Sequence, residues 1–321
     1  MHEHLNSAVV FRLTDEGRRH RLLPGFAVGK PANSEAGKFF GAETQLAQAM
    51  QYLEQYHVVA IEGGFRSGKT SLMAEVGKRM LAGGKVAAVA GIDMNPGIKP
   101  RDVFALVADR AKMGSEGKML VLFDEIEAAA SRKDDLIDML AFIRELVDRG
   151  HFVAFTHLGD LSSQVDFMLQ AEVRAELSSV AGKAVIVNTL LSDDEMRALI
   201  NQGDRPLFPK NLQNFLVAEA GGHSYFGNIL AAETWSVLGN KKLQKEEFLG
   251  LLLREESVKT ALIFFKHIVE HILSAGFDPL TWEWQGTKSQ PDIEVYRNMI
   301  PRTSSTIFTK WLTQYMLERR T

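Results

Sequence analysis

The residues Gly63-Gly64-Phe65-Arg66-Ser67-Gly68-Lys69-Thr70 fit the spacing G-x-x-x-x-G-K-[ST], with Ser71 directly after it. That spacing suits phosphate. Gly63 and Gly68 let the backbone turn so that successive N–H groups point inward at phosphate oxygens. A helix beginning here adds its positive N-terminal end. Lys69 can reach the β- and γ-phosphates, and the Thr70 hydroxyl can ligate Mg²⁺. Random matching would produce this pattern in a chain of this length only about 1% of the time. The whole run 63–71, backbone and side chains, is therefore the expected nucleotide cradle.

A second group of chemical residues lies downstream. Lys118-Met119-Leu120-Val121-Leu122-Phe123 is an apolar run ending in Asp124-Glu125-Ile126-Glu127. A carboxylate at the end of a buried strand, downstream of a phosphate loop, can hold Mg²⁺ through water, and Asp124 has that place. Glu125 is the expected group to orient and deprotonate an attacking water. Glu127 reads as an exposed neighbour. The next apolar run ends in Thr156-His157. Thr156 is expected to contact the γ-phosphate or position the water, with His157 as the alternative. Asp93, at the end of an earlier run, reads equally as functional or as a helix cap.

These residues need a sheet whose strands all end on one edge. Apolar runs of strand length occur at 57–62, 86–92, 119–124, 152–156 and 184–187, with helical patterns at 70–81, 101–111 and 134–149 between them. In the last helix Leu136, Met139, Leu140, Ile143 and Leu146 recur at helical spacing. Strands alternating with helices imply parallel βαβ units buried on both faces, which explains the continuous apolar runs. After residue 191 the strand signals stop. Ser192-Asp193-Asp194-Glu195 is a capping box, and helical patterns follow at 209–219, 223–238, 244–254, 256–275 and 306–320. The expected organisation is an N-terminal arm (1–40), an α/β core (41–190), a helical lid (191–255) and a C-terminal helical region (256–321).

Composition narrows the function further. The chain has 321 residues, 37 basic against 40 acidic groups, and no cysteine. The near balance of charge excludes a wholly basic nucleic-acid binder, although a local basic face remains open. The lack of cysteine excludes disulfides, thiol catalysis and cysteine-held metal clusters. No apolar run reaches the roughly 18 residues of a membrane span, and the first residues lack a signal-peptide layout. A cytoplasmic protein is expected.

With these motifs together, the chain resembles the AAA+ and STAND P-loop ATPases, near the origin-recognition initiators and archaeal-type STAND ATPases. The likeness runs over about residues 39–238. Phe39-Phe40-Gly41-Ala42-Glu43 is similar to the segment that precedes the phosphate loop in that branch and contacts the base, with Ala42 where the family has arginine. The run 63–70 matches Walker A, 120–125 matches Walker B, and Thr156 matches sensor 1. Gly221-Gly222-His223-Ser224-Tyr225 is similar to the motif that opens a lid helix near the nucleotide, with Ser224 in place of proline. The resemblance thus implies His223 as a nucleotide contact, and Arg174 as an arginine supplied to a neighbouring subunit's site. It also implies ATP and Mg²⁺ as ligands, hydrolysis of ATP, and a parallel P-loop sheet flanked by helices, followed by the lid.

Two further patterns compete for attention. His267-Ile268-Val269-Glu270-His271 fits H-x-x-E-H, an inverted zinc-peptidase pattern. It sits in an amphipathic helix without a recognisable third ligand, so satisfied surface or packing histidines are the expectation. The stretch 288–321 carries six basic and three acidic residues, and Trp282, Trp284 and Trp311 lie beyond residue 280. Basic and aromatic residues together could bind nucleic acid, and relatives often carry a winged helix here; tryptophans of this kind more often pack a small core. The expected function is an ATP-driven switch acting on a partner, with double-stranded DNA favoured and a homo-oligomer or protein partner expected. The alternative is a nucleotide-gated signalling or defence scaffold with little turnover. A small-molecule kinase is disfavoured, since no acceptor-binding motif is present.

Overall fold

The computed structural model describes residues 10–11, 42–64, 66–94, 107, 117–127, 133–157, 184–186, 190–201, 207–239, 241–285, 293, 297, 299–302 and 305–320. It divides into two compact units, one of residues 31–188 and one of residues 1–30 with 189–321.

The first unit is layered about a parallel sheet. Its strands are β2 (Val58–Glu62), β3 (Ala88–Asp93), β4 (Met119–Asp124), β5 (Phe152–His157) and β6 (Ala184–Ile186), in the spatial order β3-β4-β5-β2-β6. Helices α1 (Glu43–Tyr56) and α2 (Lys69–Ala82) precede and follow β2, and α3 (Lys133–Asp148) joins β4 to β5.

Alternation along each strand sorts the side chains into two cores. Val58, Ala60, Val121, Phe123, Val153 and Phe155 pack with Leu136, Met139, Leu140 and Ile143 of α3. Val59, Ile61, Leu120, Leu122 and Ala154 pack on the opposite face with Leu46 and Leu53 of α1 and Leu72, Val76 and Met80 of α2. Burial on both faces is why β2, β4 and β5 read as unbroken apolar runs. Gly77 lets α2 lie close to the sheet: a methyl group there would stand 3.1 Å from Leu122 and 3.2 Å from Val89.

The strand order has a direct consequence for chemistry. β5 lies between the strand leading into the phosphate loop and the strand ending in Asp124. Ile61 pairs with Thr156 on one side, while Phe123 pairs with Phe155 on the other. The C-terminal ends of all three strands therefore meet at one edge.

The second unit is helical: α4 (Asp193–Asn201), α5 (Lys210–Ala220), α6 (Ser224–Leu238), α7 (Lys245–Leu252), α8 (Glu256–Ser274) and α9 (Thr306–Arg320). The capping box forms, with the Ser192 N–H donating to Glu195 Oε2 at 2.8 Å and the Glu195 N–H donating to Ser192 Oγ at 3.3 Å. Helix α6 is central and buried on most sides. The helices before and after residue 255 share one continuous core, from Leu191 and Phe226 through Phe265 to Phe308 and Leu312. The N-terminal arm contributes too: β1 (Val10–Phe11) pairs antiparallel with β7 (Leu243–Gln244).

Two distant segments converge on the Gly221-Gly222-His223 turn. The Leu191 N–H donates to Gly222 O at 2.7 Å and the Arg302 N–H to Gly221 O at 2.9 Å. Gly221 has φ 56°, and a methyl group on it would sit 2.6 Å from Arg302 N, so the turn needs glycine for both conformation and space. Helix α9 is then fixed to α5: Ser305 Oγ accepts the Phe308 N–H at 3.1 Å, and Glu219 Oε2 accepts the Ile307 N–H at 2.8 Å. Among the described residues no helix is long and apolar enough to cross a membrane.

Candidate functional site

The phosphate loop starts where β2 leaves the sheet, tied to β5 by the Gly63 N–H donating to His157 O at 3.3 Å. Arg66 at φ 55° and Gly68 at φ 95° turn the chain into α2. The first intrahelical bond of α2 runs from the Leu72 N–H to Gly68 O, so the N–H groups of the preceding turn have no acceptor within the helix. A Cβ added to Gly68 would meet no atom within 4 Å, which leaves open space beside the loop. Ser67 is buried, and its hydroxyl has no hydrogen-bond partner among the described residues. Unfilled space, helix-end donors and an unspent buried hydroxyl are what a chain of phosphates completes.

Lys69 is 7% exposed and donates through Nζ to Gly63 O at 3.0 Å and Gly64 O at 2.9 Å. Burial lowers its pKa below the ordinary lysine value; Glu127, then Asp124 and Glu125, act the other way. Glu127 was expected as an exposed neighbour. It is instead half-buried, and its charge supports the Lys69 ammonium more than the other two acids do. The signal for this was Ile126, an apolar residue between two acids that is itself fully buried in the core with Phe123 and Leu136.

Thr70 Oγ1 donates to Asp124 Oδ2 at 2.7 Å. Two oxygens on adjacent corners of a Mg²⁺ octahedron stand about 2.9 Å apart, given bonds of roughly 2.0–2.1 Å. The hydroxyl and carboxylate thus already have the spacing of neighbouring ligands, and the residues present fit the cation. Asp93 pairs with Asp124 across β3 and β4, and the Met94 N–H donates to Asp124 O at 3.0 Å.

Thr156 is fully buried. Its hydroxyl donates to Asp124 Oδ1 at 2.5 Å and accepts the Glu125 N–H at 2.8 Å. Glu125 has φ 55°, a left-handed backbone uncommon outside glycine, and its side chain remains open to solvent. Partial desolvation at the sheet edge, with Asp124 next and Asp93 adding, pushes its carboxyl above the usual carboxylate range against the pull of Lys69. A carboxylate raised in this way is a stronger base toward water.

The sheet edge therefore brings together Gly63, Gly64, Arg66, Ser67, Gly68, Lys69, Thr70, Asp124, Glu125 and Thr156, with Ser71 next in α2. Phe65 and Arg174 lie outside the described residues. His223 belongs to the helical unit, where it is 1% exposed and meets the Phe265 ring edge-on at 5.0 Å. His157 is buried at the end of β5, its ring 6.0 Å from that of Phe155. In the H-x-x-E-H stretch, Glu270 is taken by Tyr315 and by Arg319 at 3.2 Å. No cluster of metal-ligating side chains occurs among the described residues.

No family model and no curated protein matches the sequence. Among solved structures, the chain is similar to the Orc1 protein of Aeropyrum pernix in complex with DNA, with a TM-score of 0.51 at 13% identity, over 83% of this chain and 73% of that one. It is also similar to a Walker-type ATPase of Pyrococcus abyssi, with a TM-score of 0.52 at 14% identity, over 76% and 78% of the two chains. The chain shares the fold of these two proteins, a parallel P-loop sheet flanked by helices.

Proposed function

We propose that this protein binds ATP with Mg²⁺, hydrolyses it, and uses the nucleotide state to switch its grip on a partner. The observation that supports this best is the meeting of the phosphate loop, Asp124, Glu125 and Thr156 at one sheet edge, with Thr70 and Asp124 spaced as two ligands of one cation. Thr70 and Asp124 would hold Mg²⁺ there, and the ion would supply neutralising charge to the β- and γ-phosphates. Lys69 holds the same phosphates as a point charge. Glu125 accepts a proton from water as the water oxygen attacks the γ-phosphorus. The bond from γ-phosphorus to the bridging oxygen breaks, and its electron pair leaves on the β-phosphate of ADP.

DNA is the partner we favour. Orc1 of Aeropyrum pernix, which has this fold, is found in complex with DNA, and α8 and α9 of this chain expose Lys259, Lys266, Lys310 and Arg319. We place the switch in the cytoplasm, with residues 191–255 as lid and residues 256–321 as the region that carries the output; His223, buried against Phe265 in the helical unit, is not assigned a nucleotide contact. Arg174 is proposed to complete the site of a second copy.

The test is the steady-state ATPase rate with and without double-stranded DNA at fixed low salt, because phosphate contacts are screened. Lys69→Ala is expected to abolish ATP binding, and unchanged affinity would remove the site assignment. A DNA-stimulated rate supports the DNA-coupled switch. A rate indifferent to DNA transfers the reading to a protein-partnered scaffold.

A further inference from the structure

A hydroxyl has one proton to give and can accept at its lone pairs. The one proton of Thr156 is given to Asp124 Oδ1, and the hydroxyl oxygen accepts the Glu125 N–H. A γ-phosphate oxygen is an acceptor, so Thr156 could hold it only by releasing Asp124. The side chain has little freedom to do both, being β-branched, in a strand and fully buried. The second oxygen of Asp124 meanwhile accepts from Thr70. One carboxylate is thus held at both ends by hydroxyls, from the phosphate loop and from β5.

The backbone of Glu125 makes the acceptor half of this arrangement matter. A non-glycine residue in the left-handed region persists only where its surroundings hold it, and Glu125 at φ 55° has its N–H fixed by Thr156. Releasing that N–H would free the peptide between Asp124 and Glu125 to rotate, carrying both carboxylates with it.

We infer that Thr156 is a positioning residue: it acts on hydrolysis by fixing Asp124 and the backbone of Glu125 and makes no contact with the γ-phosphate. This rests on the ATPase reading above and gives Thr156 a role different from the direct one expected from the sequence. Serine retains both hydrogen bonds. Valine keeps the shape and loses both.

The experiment compares wild type, Thr156→Val and Thr156→Ser, reading kcat together with ATP and ADP affinities in Mg²⁺. Thr156→Val is expected to lower kcat about 10²-fold and to leave the ratio of ATP to ADP affinity within about twofold. Thr156→Ser is expected to recover most of the rate, because it keeps the hydrogen bonds to Asp124 and to the Glu125 N–H. Should the valine chain fail to fold, Thr156→Ala carries the same expectations. A selective loss of ATP over ADP affinity overturns the inference, because it reports a γ-phosphate contact. A Thr156→Ser rate as low as that of Thr156→Val overturns it as well, because serine keeps both hydrogen bonds. A wild-type chain that binds no ATP overturns the ATPase reading instead, and is recognised before any variant is made.

Discussion

Thr70 Oγ1 and Asp124 Oδ2 lie 2.7 Å apart although 54 residues separate them in the chain. Thr70 stands on α2, after β2, and β2 is not a neighbour of β4: β5 lies between them. The contact is made because the phosphate loop leads Thr70 back over the end of β5, where Thr156 takes the other carboxylate oxygen of Asp124. The Asp124 carboxylate is therefore placed by three separate segments at once, and with it the proposed cation position. Asp124→Asn keeps the shape and one acceptor oxygen while removing the charge. It is expected to lower kcat by at least about 10²-fold and to make nucleotide affinity nearly independent of Mg²⁺. Titration of a fluorescent ATP analogue with and without Mg²⁺ checks this; an unchanged Mg²⁺ dependence would remove Asp124 from the cation site.

Glu125 gives a pH signature. Its carboxyl is raised above the ordinary range by desolvation, then by Asp124, with Asp93 adding. A general base must be ionised, so the acidic limb of the rate profile should lie above the usual carboxylate range. Asp93→Asn takes away one of the charges holding that value up. The limb is then expected to move to lower pH with the plateau rate kept within a few-fold. A pH–kcat profile of the two proteins decides it: coincident limbs would mean that Asp93 does not act on the base.

Much of this site was legible in the sequence because its signals are local. The glycine spacing of the phosphate loop, the apolar run ending in Asp124 and the periodicity of Leu136, Met139, Leu140 and Ile143 all lie within single elements, and they give β2, β4 and α3 within a residue or two. The dual bonding of Thr156 was not legible, since it depends on β5 standing between two strands and on a register that no short window encodes. The same holds for the Gly221-Gly222 turn. Its glycines resemble a nucleotide-proximal motif, yet they admit Leu191 and Arg302, and Arg302 Nη2 donates to Leu191 O across 111 residues. Val10–Phe11 likewise pairs with Leu243–Gln244, a match of two-residue strands too short to show in a pattern.

The opposite edge of the sheet carries a different pH dependence. His151 Nδ1 accepts the Met119 N–H at 3.3 Å, which only the unprotonated nitrogen can do. The His57 ring packs on Phe152 at 4.6 Å, and the Lys118 ammonium lies over the same ring at 5.1 Å. Burial lowers the pKa of both histidines, with Arg149 adding for His151 and Lys118 for His57. Because the folded values lie below 6.5, the unfolded chain takes up protons first as the pH falls. Stability is full above that value and is lost as pH falls toward the folded pKa values. Urea midpoints at pH 7.5 and 5.5 should therefore fall on acidification, and His151→Gln should lessen the drop. An equal drop in both proteins would assign the loss elsewhere.

The attachment of α9 to α5 sets the last expectation. Glu219 is buried and accepts the Ile307 N–H from 88 residues away, at a helix end whose first N–H groups have no other acceptor in the helix. Glu219→Ala leaves that donor unpaired and is expected to cost about 1–3 kcal/mol. Gly221→Ala acts on the same junction by another route, through φ 56° and a clash with Arg302 N at 2.6 Å. Since both changes loosen one junction, their costs should not add: the second should cost less once the first is made. Urea unfolding of the two single variants and the double variant measures this coupling. Full additivity would show that α9 is held by contacts other than the Glu219 and Arg302 pair.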